Sequence, residues 1–399
     1  MKRLATTAAF AVLVSGLAGA PAAAQGDAAK AGPIKIGVVL PYAPPFEIYA
    51  RAMETTIKMA VDELGGAIAG RKIELIFEND ENKPPQALIK AKKLIASDKV
   101  DVLLGGLASN LALPLHQEAV ASKQPTIIIN AGVASITGKD CSPWVMRVSF
   151  SADQIVRDSG AWLFKRGHRT AFTMTADYAG GRETTDAFKR EFEKAGGKVV
   201  GEVYAPFTTK DFGPYLAQAK AAKPDTIYVF FPGGMAIQFV VEYDRFGLKG
   251  QIPLTGPAWT VGPAFLEKQG KAALGFVGPI NYVPSLDNPA NRKFAAEFRK
   301  RSGGRDPDEV TVNGYDAIHM IAAGLKSIGG KTDDKATMMS AIRKAEYTGP
   351  RGPLRIDPRT NNVIQNIYMV EVREVDGKPT HVVLDTIKDV RDPPNGCAM

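Results

Sequence analysis

Cysteine and histidine are nearly missing from this chain. Its 399 residues hold two cysteines, Cys141 and Cys397, and four histidines. Two cysteines are too few for a disulfide framework or a thiolate metal cluster. His116, His168, His319 and His381 are scattered, with no pair at ligand spacing, so surface or helix positions are expected for each. Asp80-Glu81 and Asp333-Asp334 read as polar turns, because a calcium loop alternates acidic or amide groups around a glycine. Phosphate cradles are absent too. Where a dinucleotide site would place G-x-G-x-x-G after the first strand, the chain reads Leu40-Pro41-Tyr42-Ala43-Pro44-Pro45-Phe46. Neither G-x-x-x-x-G-K-[ST] nor G-x-S-x-G occurs. No metal, no cofactor and no catalytic machinery is expected, hence no enzyme.

Charge of one sign is not concentrated anywhere. The formal net charge is +8, but basic residues are interspersed with acids, and no stripe suited to nucleic acid is visible. No run of 18 apolar residues follows residue 24, so no membrane-spanning segment is expected. What precedes that point is a secretory leader, residues 1–24. Lys2-Arg3 is its basic start, Leu4–Ala20 its apolar run, and Ala22-Ala23-Ala24 its small-residue cleavage site. No cysteine follows the apolar run to carry a lipid. Cleavage removes Lys2 and Arg3 and no acid, leaving a charge of about +6, which favours an anionic small ligand. Export implies an oxidising compartment, where two thiols tend to pair. A Cys141–Cys397 disulfide would tie the C-terminal tail to the body; two free thiols are the alternative.

The stretch Val102–Gly132 organises the rest. Val102-Leu103-Leu104 is a buried parallel strand, and Gly105-Gly106 turns it. A helix follows with Ser109 or Asn110 as its N-cap, then a strand Thr126–Ile129 ending at Asn130-Ala131-Gly132. Two strand ends with small polar tips mark a ligand cleft in an open α/β sheet, so Ser109 and Asn130 are expected to line one. Strand–helix alternation runs from about 34 to 148 and again from about 170 to 278. That predicts an α/β protein of two doubly wound parallel-sheet lobes. The helices after 290 lack strand partners and are expected to return to the first lobe. The lobes are then 25–150 plus 283–357 and 151–282 plus 358–399, joined by a three-crossing hinge near 150, 280 and 357.

Several blocks, in this order and spacing, carry a resemblance. They are Ile34–Leu40 with Pro41; Ala60-Val61-Asp62-Glu63; Leu104-Gly105-Gly106 with Ser109; Cys141–Arg147; Asp177-Tyr178; Gly233-Gly234; and Gly314-Tyr315-Asp316-Ala317. Over almost the whole mature chain the sequence resembles the type I periplasmic binding proteins, and more narrowly the branched-chain amino acid-binding proteins of ABC importers. The resemblance implies that Ser109 holds a ligand carboxylate and that Asn130 sits at the next strand end. A second carboxylate donor, a threonine in the family, falls on Gly132. The tyrosine opening the second lobe's helix matches Tyr178, and the aromatic-Gly-Gly segment matches Phe231-Pro232-Gly233-Gly234. The acid that pairs with an α-ammonium falls on Ala258, in Gly256-Pro257-Ala258-Trp259.

A buried ammonium without a carboxylate costs several kcal/mol. Unless Glu47 or Asp177 reaches the cleft, an α-amino acid is disfavoured. Tyr42, Phe46, Tyr178, Phe231 and Trp259, with Pro257, suggest a pocket for a flat apolar body. The expected ligand is therefore a carboxylate with an aromatic or apolar body. Ser109, Asn130 and N–H groups near Ala131 and Gly132 would hold it, and closure would present it to a permease with its ATPase. A monomer is expected. An amino acid binder of the same fold and a periplasmic ligand sensor are the alternatives.

Overall fold

The computed structural model describes Met1, residues 32–44 and residues 46–399; the leader expected at 1–24 lies, but for Met1, outside the described residues. The chain begins with β1 (Ile34–Leu40), α1 (Glu47–Glu63), β2 (Ala67–Ile68), β3 (Arg71–Asn79), α2 (Pro84–Lys92), β4 (Val102–Gly105), α3 (Ser109–Ser122), β5 (Thr126–Ile128) and β6 (Val145–Arg147). These strands form one sheet, ordered β2-β3-β1-β4-β5-β6, parallel except for the β2–β3 hairpin. The apolar run of β1, interrupted only by Lys35, has a simple cause. Ile34, Ile36, Val38 and Leu40 pack with Met53 and Ile57 of α1 on one face, and Val39 packs with Ala91, Leu94 and Leu115 on the other. A strand covered on both faces leaves little room for polar residues, and the one that occurs, Lys35, stands near the strand's start and is only partly buried.

The second half repeats the pattern with α4 (Ala152–Lys165), β7 (Thr170–Ala176), α5 (Ala179–Lys194), β8 (Lys198–Ala205), α6 (Gly213–Ala222), β9 (Thr226–Phe230), α7 (Gly233–Arg245), β10 (Leu254–Thr255), α8 (Pro263–Gln269) and β11 (Val277–Ile280). Then come α9 (Pro289–Arg301), α10 (Thr311–Ser327) and α11 (Lys335–Arg343), and four strands: β12 (Glu346–Gly349), β13 (Gly352–Ile356), β14 (Val363–Val375) and β15 (Lys378–Val390). The second sheet runs β12-β13-β14-β11-β10-β9-β7-β8, with β15 on β14. Its core is parallel, but β12 to β15 join antiparallel, so the sheet is mixed. Aromatic stacking knits this half together: the Phe188 and Tyr228 rings lie 3.6 Å apart with their planes nearly parallel.

The late helices do return to the first lobe. The Thr56 hydroxyl of α1 donates to the Thr311 carbonyl of α10 at 2.7 Å. A Cβ at Gly314 would meet Met53 at 2.8 Å and Ile57 at 3.0 Å, so only glycine lets α10 approach this closely. Two fully buried arginines pin the crossings. Arg147 donates to the Val133 carbonyl and to Asn362 Oδ1, both at 2.7 Å. Arg351 donates to Asp316 at 2.6 Å and to the Val148 carbonyl at 2.6 Å. Burial pulls Arg147 down to about 10, opposed by Asp392, so it keeps its charge at neutral pH. The C-terminal tail makes a further link. It leaves the second sheet, where Asp392 bonds Ser151 and Thr137, and ends with Cys397 Sγ 2.02 Å from Cys141 Sγ.

The N-cap expectation needs correction. Ala108 holds that position without a side-chain bond, and Ser109 and Asn110 are the first helical residues of α3. The hydroxyl is thereby released from capping duty.

Candidate ligand-binding cleft

The carboxyl ends of β1, β4 and β5 face those of β7, β9 and β10 across a cavity of about 110 Å³. The first lobe contributes Phe46 and Tyr49, the turn Leu107-Ala108-Ser109, and Asn130-Ala131-Gly132. The second contributes Tyr178, Gly180 and Thr184, then Phe230, Pro232 and Gly233, and Trp259 with Phe265. Phe150 and Ala152 enter from one crossing, and Glu309 and Val310 from the approach to α10. No lysine, arginine or histidine is among these residues.

Three helix starts converge here: α3 from the first lobe, α5 and α7 from the second. The first N–H groups of a helix have no carbonyl one turn back, and the helix dipole adds positive potential there. An anion can be held by such groups without a cationic side chain. Ser109 is 7% exposed, and its hydroxyl makes no bond to protein among the described residues. Gly256 makes the aromatic wall possible. Its φ is +146°, and a Cβ there would lie 2.1 Å from the Val229 carbonyl oxygen. The Trp259 ring then lies tilted 4.6 Å from Phe150 and edge-on to Phe230 at 5.5 Å. Burial, with Glu183 nearby, raises the Tyr178 phenol far above its usual range, so it stays protonated.

The lobes touch around the cavity. The Ala134 N–H of the first donates to Glu183 of α5 at 3.1 Å, and the Tyr49 ring meets Phe265 edge-on at 5.9 Å. Burial raises the Glu183 carboxyl, with Ala134 and Arg147 opposing.

Phe46, Ser109, Asn130, Ala131, Gly132, Tyr178 and Trp259 are brought together in this lining; Tyr42, Phe231 and Pro257 are not. Tyr42 donates its hydroxyl to Glu54 of α1 at 2.6 Å. Phe231 turns away into the cluster of Phe212 and Phe239, 4.9 Å from each. Pro257 is buried, and its carbonyl accepts from Thr260 at 3.1 Å. The Ala131 N–H is not free, since it donates to the Gly106 carbonyl at 2.8 Å. The Asn130 amide braces the same turn by donating to the Leu107 carbonyl at 2.7 Å. At Gly132 a Cβ would meet Ala152 N at 3.0 Å and the Phe150 ring at 3.1 Å, so the ring occupies the room a threonine side chain would need.

Neither acid considered as an ammonium partner lies in the lining. Glu47 pairs with Arg51 at 2.9 Å and Asp177 with Arg182 at 2.8 Å, both near the surface. The acid that does reach the cavity is Glu309, 2% exposed, which sequence reasoning missed. Its only signal was Asp308-Glu309 standing directly before the α10 run.

A family model described as periplasmic binding protein matches residues 33–378. A curated relative, Leu/Ile/Val-binding protein homolog 6 of Brucella melitensis, is 31% identical over 356 residues, covering 88% of this chain and 90% of that protein. A solute binding protein of an ABC transporter from Rhodopseudomonas palustris BisB5, solved in complex with 3,4-dihydroxybenzoic acid, is 34% identical. It superposes with a TM-score of 0.85 over 90% of this chain and 98% of that one. Another from R. palustris, in complex with benzoate, is also 34% identical, with a TM-score of 0.82 over 90% and 98%.

Proposed function

The chain belongs to the periplasmic binding protein family, as a solute-binding component of ABC transporters, and we propose that its cleft closes over a small carboxylate with an aromatic body. The observation that carries this is the convergence of three helix starts in a cavity walled by Phe46, Phe150, Tyr178, Phe230 and Trp259, with no cation among its described lining residues. Ser109 Oγ and the free N–H groups at the head of α3 take the carboxylate, and the rings of the second lobe sandwich the body. Benzoate and dihydroxybenzoate bound to similar proteins support that choice. The ligand stabilises the closed form through the contacts it makes with both lobes. The lobe built on the first sheet with α10 and the lobe built on the second sheet move as the two jaws; β12 and β13, expected in the first lobe's span 283–357, join the second sheet instead. A monomer is exported to the periplasm, its leader is cleaved, and the closed form docks on a membrane permease served by an ATPase. The protein itself performs no chemistry on its cargo.

A second reading, a hydrophobic amino acid as ligand, draws on the name of the Brucella relative and on the acid at Glu309. Isothermal titration separates the two. Micromolar or tighter binding of benzoate-type acids with no heat from leucine is expected; tight leucine binding with no response to benzoates overturns the aromatic reading.

A further inference from the structure

Two buried polar atoms of the cavity lining lack a hydrogen-bond partner among the described residues: Glu309 Oε2 and Trp259 Nε1. Orphaned buried polar atoms cost stability and are rare, so each points to a group that arrives from outside. Glu309 is the more telling. Both its carboxyl oxygens lie against the Trp259–Gly262 turn, where a Cβ on Gly262 would sit 3.1 and 3.2 Å from them and 3.3 Å from the Trp259 carbonyl. Its main-chain carbonyl accepts from Asn281 Nδ2 at 3.3 Å, which holds the residue at the crossing between lobes.

Resting on the aromatic carboxylate reading above, we propose that Glu309 is a specificity-determining residue, whose carboxyl exchanges a hydrogen bond with a hydroxyl group on the ligand's ring. The neighbouring Asp308 is occupied otherwise. Its Oδ1 accepts the N–H groups of Val310 and Thr311 at 3.1 and 2.8 Å, capping α10. Burial, reinforced by that neighbouring acid, pushes Glu309 well above the ordinary carboxylate range. A neutral carboxyl carries one donor and an acceptor, and a ring hydroxyl carries the complementary set. An ammonium would instead bring three donors and a full charge into a lining that offers it no other carboxylate among the described residues. Sites built to bond a hydroxyl reject the analogue that lacks it, because their own polar group is then left bare.

The test is titration calorimetry with benzoate, 4-hydroxybenzoate, 3,4-dihydroxybenzoate and leucine on the wild type, Glu309→Leu and Glu309→Gln. The wild type is expected to prefer at least one hydroxylated acid over benzoate by about tenfold or more. Glu309→Leu should collapse that ratio to within about threefold, and Glu309→Gln, which keeps a donor and an acceptor, should retain most of it. A wild type that binds benzoate as tightly as both hydroxylated acids overturns the proposal and leaves the aromatic reading standing. So does a preference that survives in Glu309→Leu. Leucine binding with no response to any benzoate overturns both.

Discussion

The two walls of the cleft are built from different materials. The first lobe presents a short turn of small residues, Leu107-Ala108-Ser109, and a strand end, Asn130-Ala131-Gly132. The second lobe presents Tyr178, Phe230, Trp259 and Phe265. One wall can donate hydrogen bonds from backbone and hydroxyl; the other can cover apolar surface. A ligand with a carboxylate at one end and a ring at the other needs both at once, so binding and closure become a single event.

The comparison can be broken at several points. The largest effect is on stability and concerns both halves. His319 of α10 and His381 of β15 are each held neutral, pulled down to about 4 mainly by burial. The groups facing His319 are Glu63, which raises it, and Lys293 and Lys326, which lower it. In the unfolded chain a histidine takes its proton near pH 6.5. The stabilising contribution is therefore complete above that value and is lost as pH falls toward 4, by up to roughly 3 kcal/mol for each ring. Urea midpoints at pH 7 and pH 4.5 should differ less in His319→Gln or His381→Gln than in the wild type; equal differences would remove the imidazoles from the account.

Next comes the aromatic wall. Trp259→Ala should weaken benzoate binding by about 3 kcal/mol, roughly 150-fold, in calorimetry. Ser109→Ala on the polar wall should cost roughly 1–3 kcal/mol of binding, with the melting temperature of the free protein little changed. An unchanged affinity would move the carboxylate elsewhere and erase the contrast between the walls. The smallest effect belongs to Tyr42→Phe. Its hydroxyl serves Glu54 outside the cavity, so affinity should stay within about twofold, inside the usual scatter for a distant surface change.

Much of this fold is readable from local pattern. The apolar runs at Ile34–Leu40 and Thr226–Phe230 and the helical spacing between strands reflect period and burial, which neighbouring residues encode. Ser109 was legible for the same reason, since a loop after a parallel strand opens on the ligand face. Phe231 shows where this stops. Successive strand side chains point to opposite faces, so one position separates Phe230, in the cleft, from Phe231, in the core beside Phe212. The tail strands β12 to β15 also escaped an all-parallel reading, because edge hairpins carry no periodicity that says which sheet will receive them.

Composition and spacing alone were enough for two α/β lobes with a cavity at their strand ends, because each depends on residues close in sequence. Folding decided which side chains share the cavity. Phe150, Glu309 and Tyr49 come from a crossing, a pre-helical turn and a helix, far apart along the chain, and meet only because the hinge closes the lobes on one another. The same closure strips water from Glu309, and that burial, invisible in the order of residues, pushes its carboxyl well above the ordinary carboxylate range.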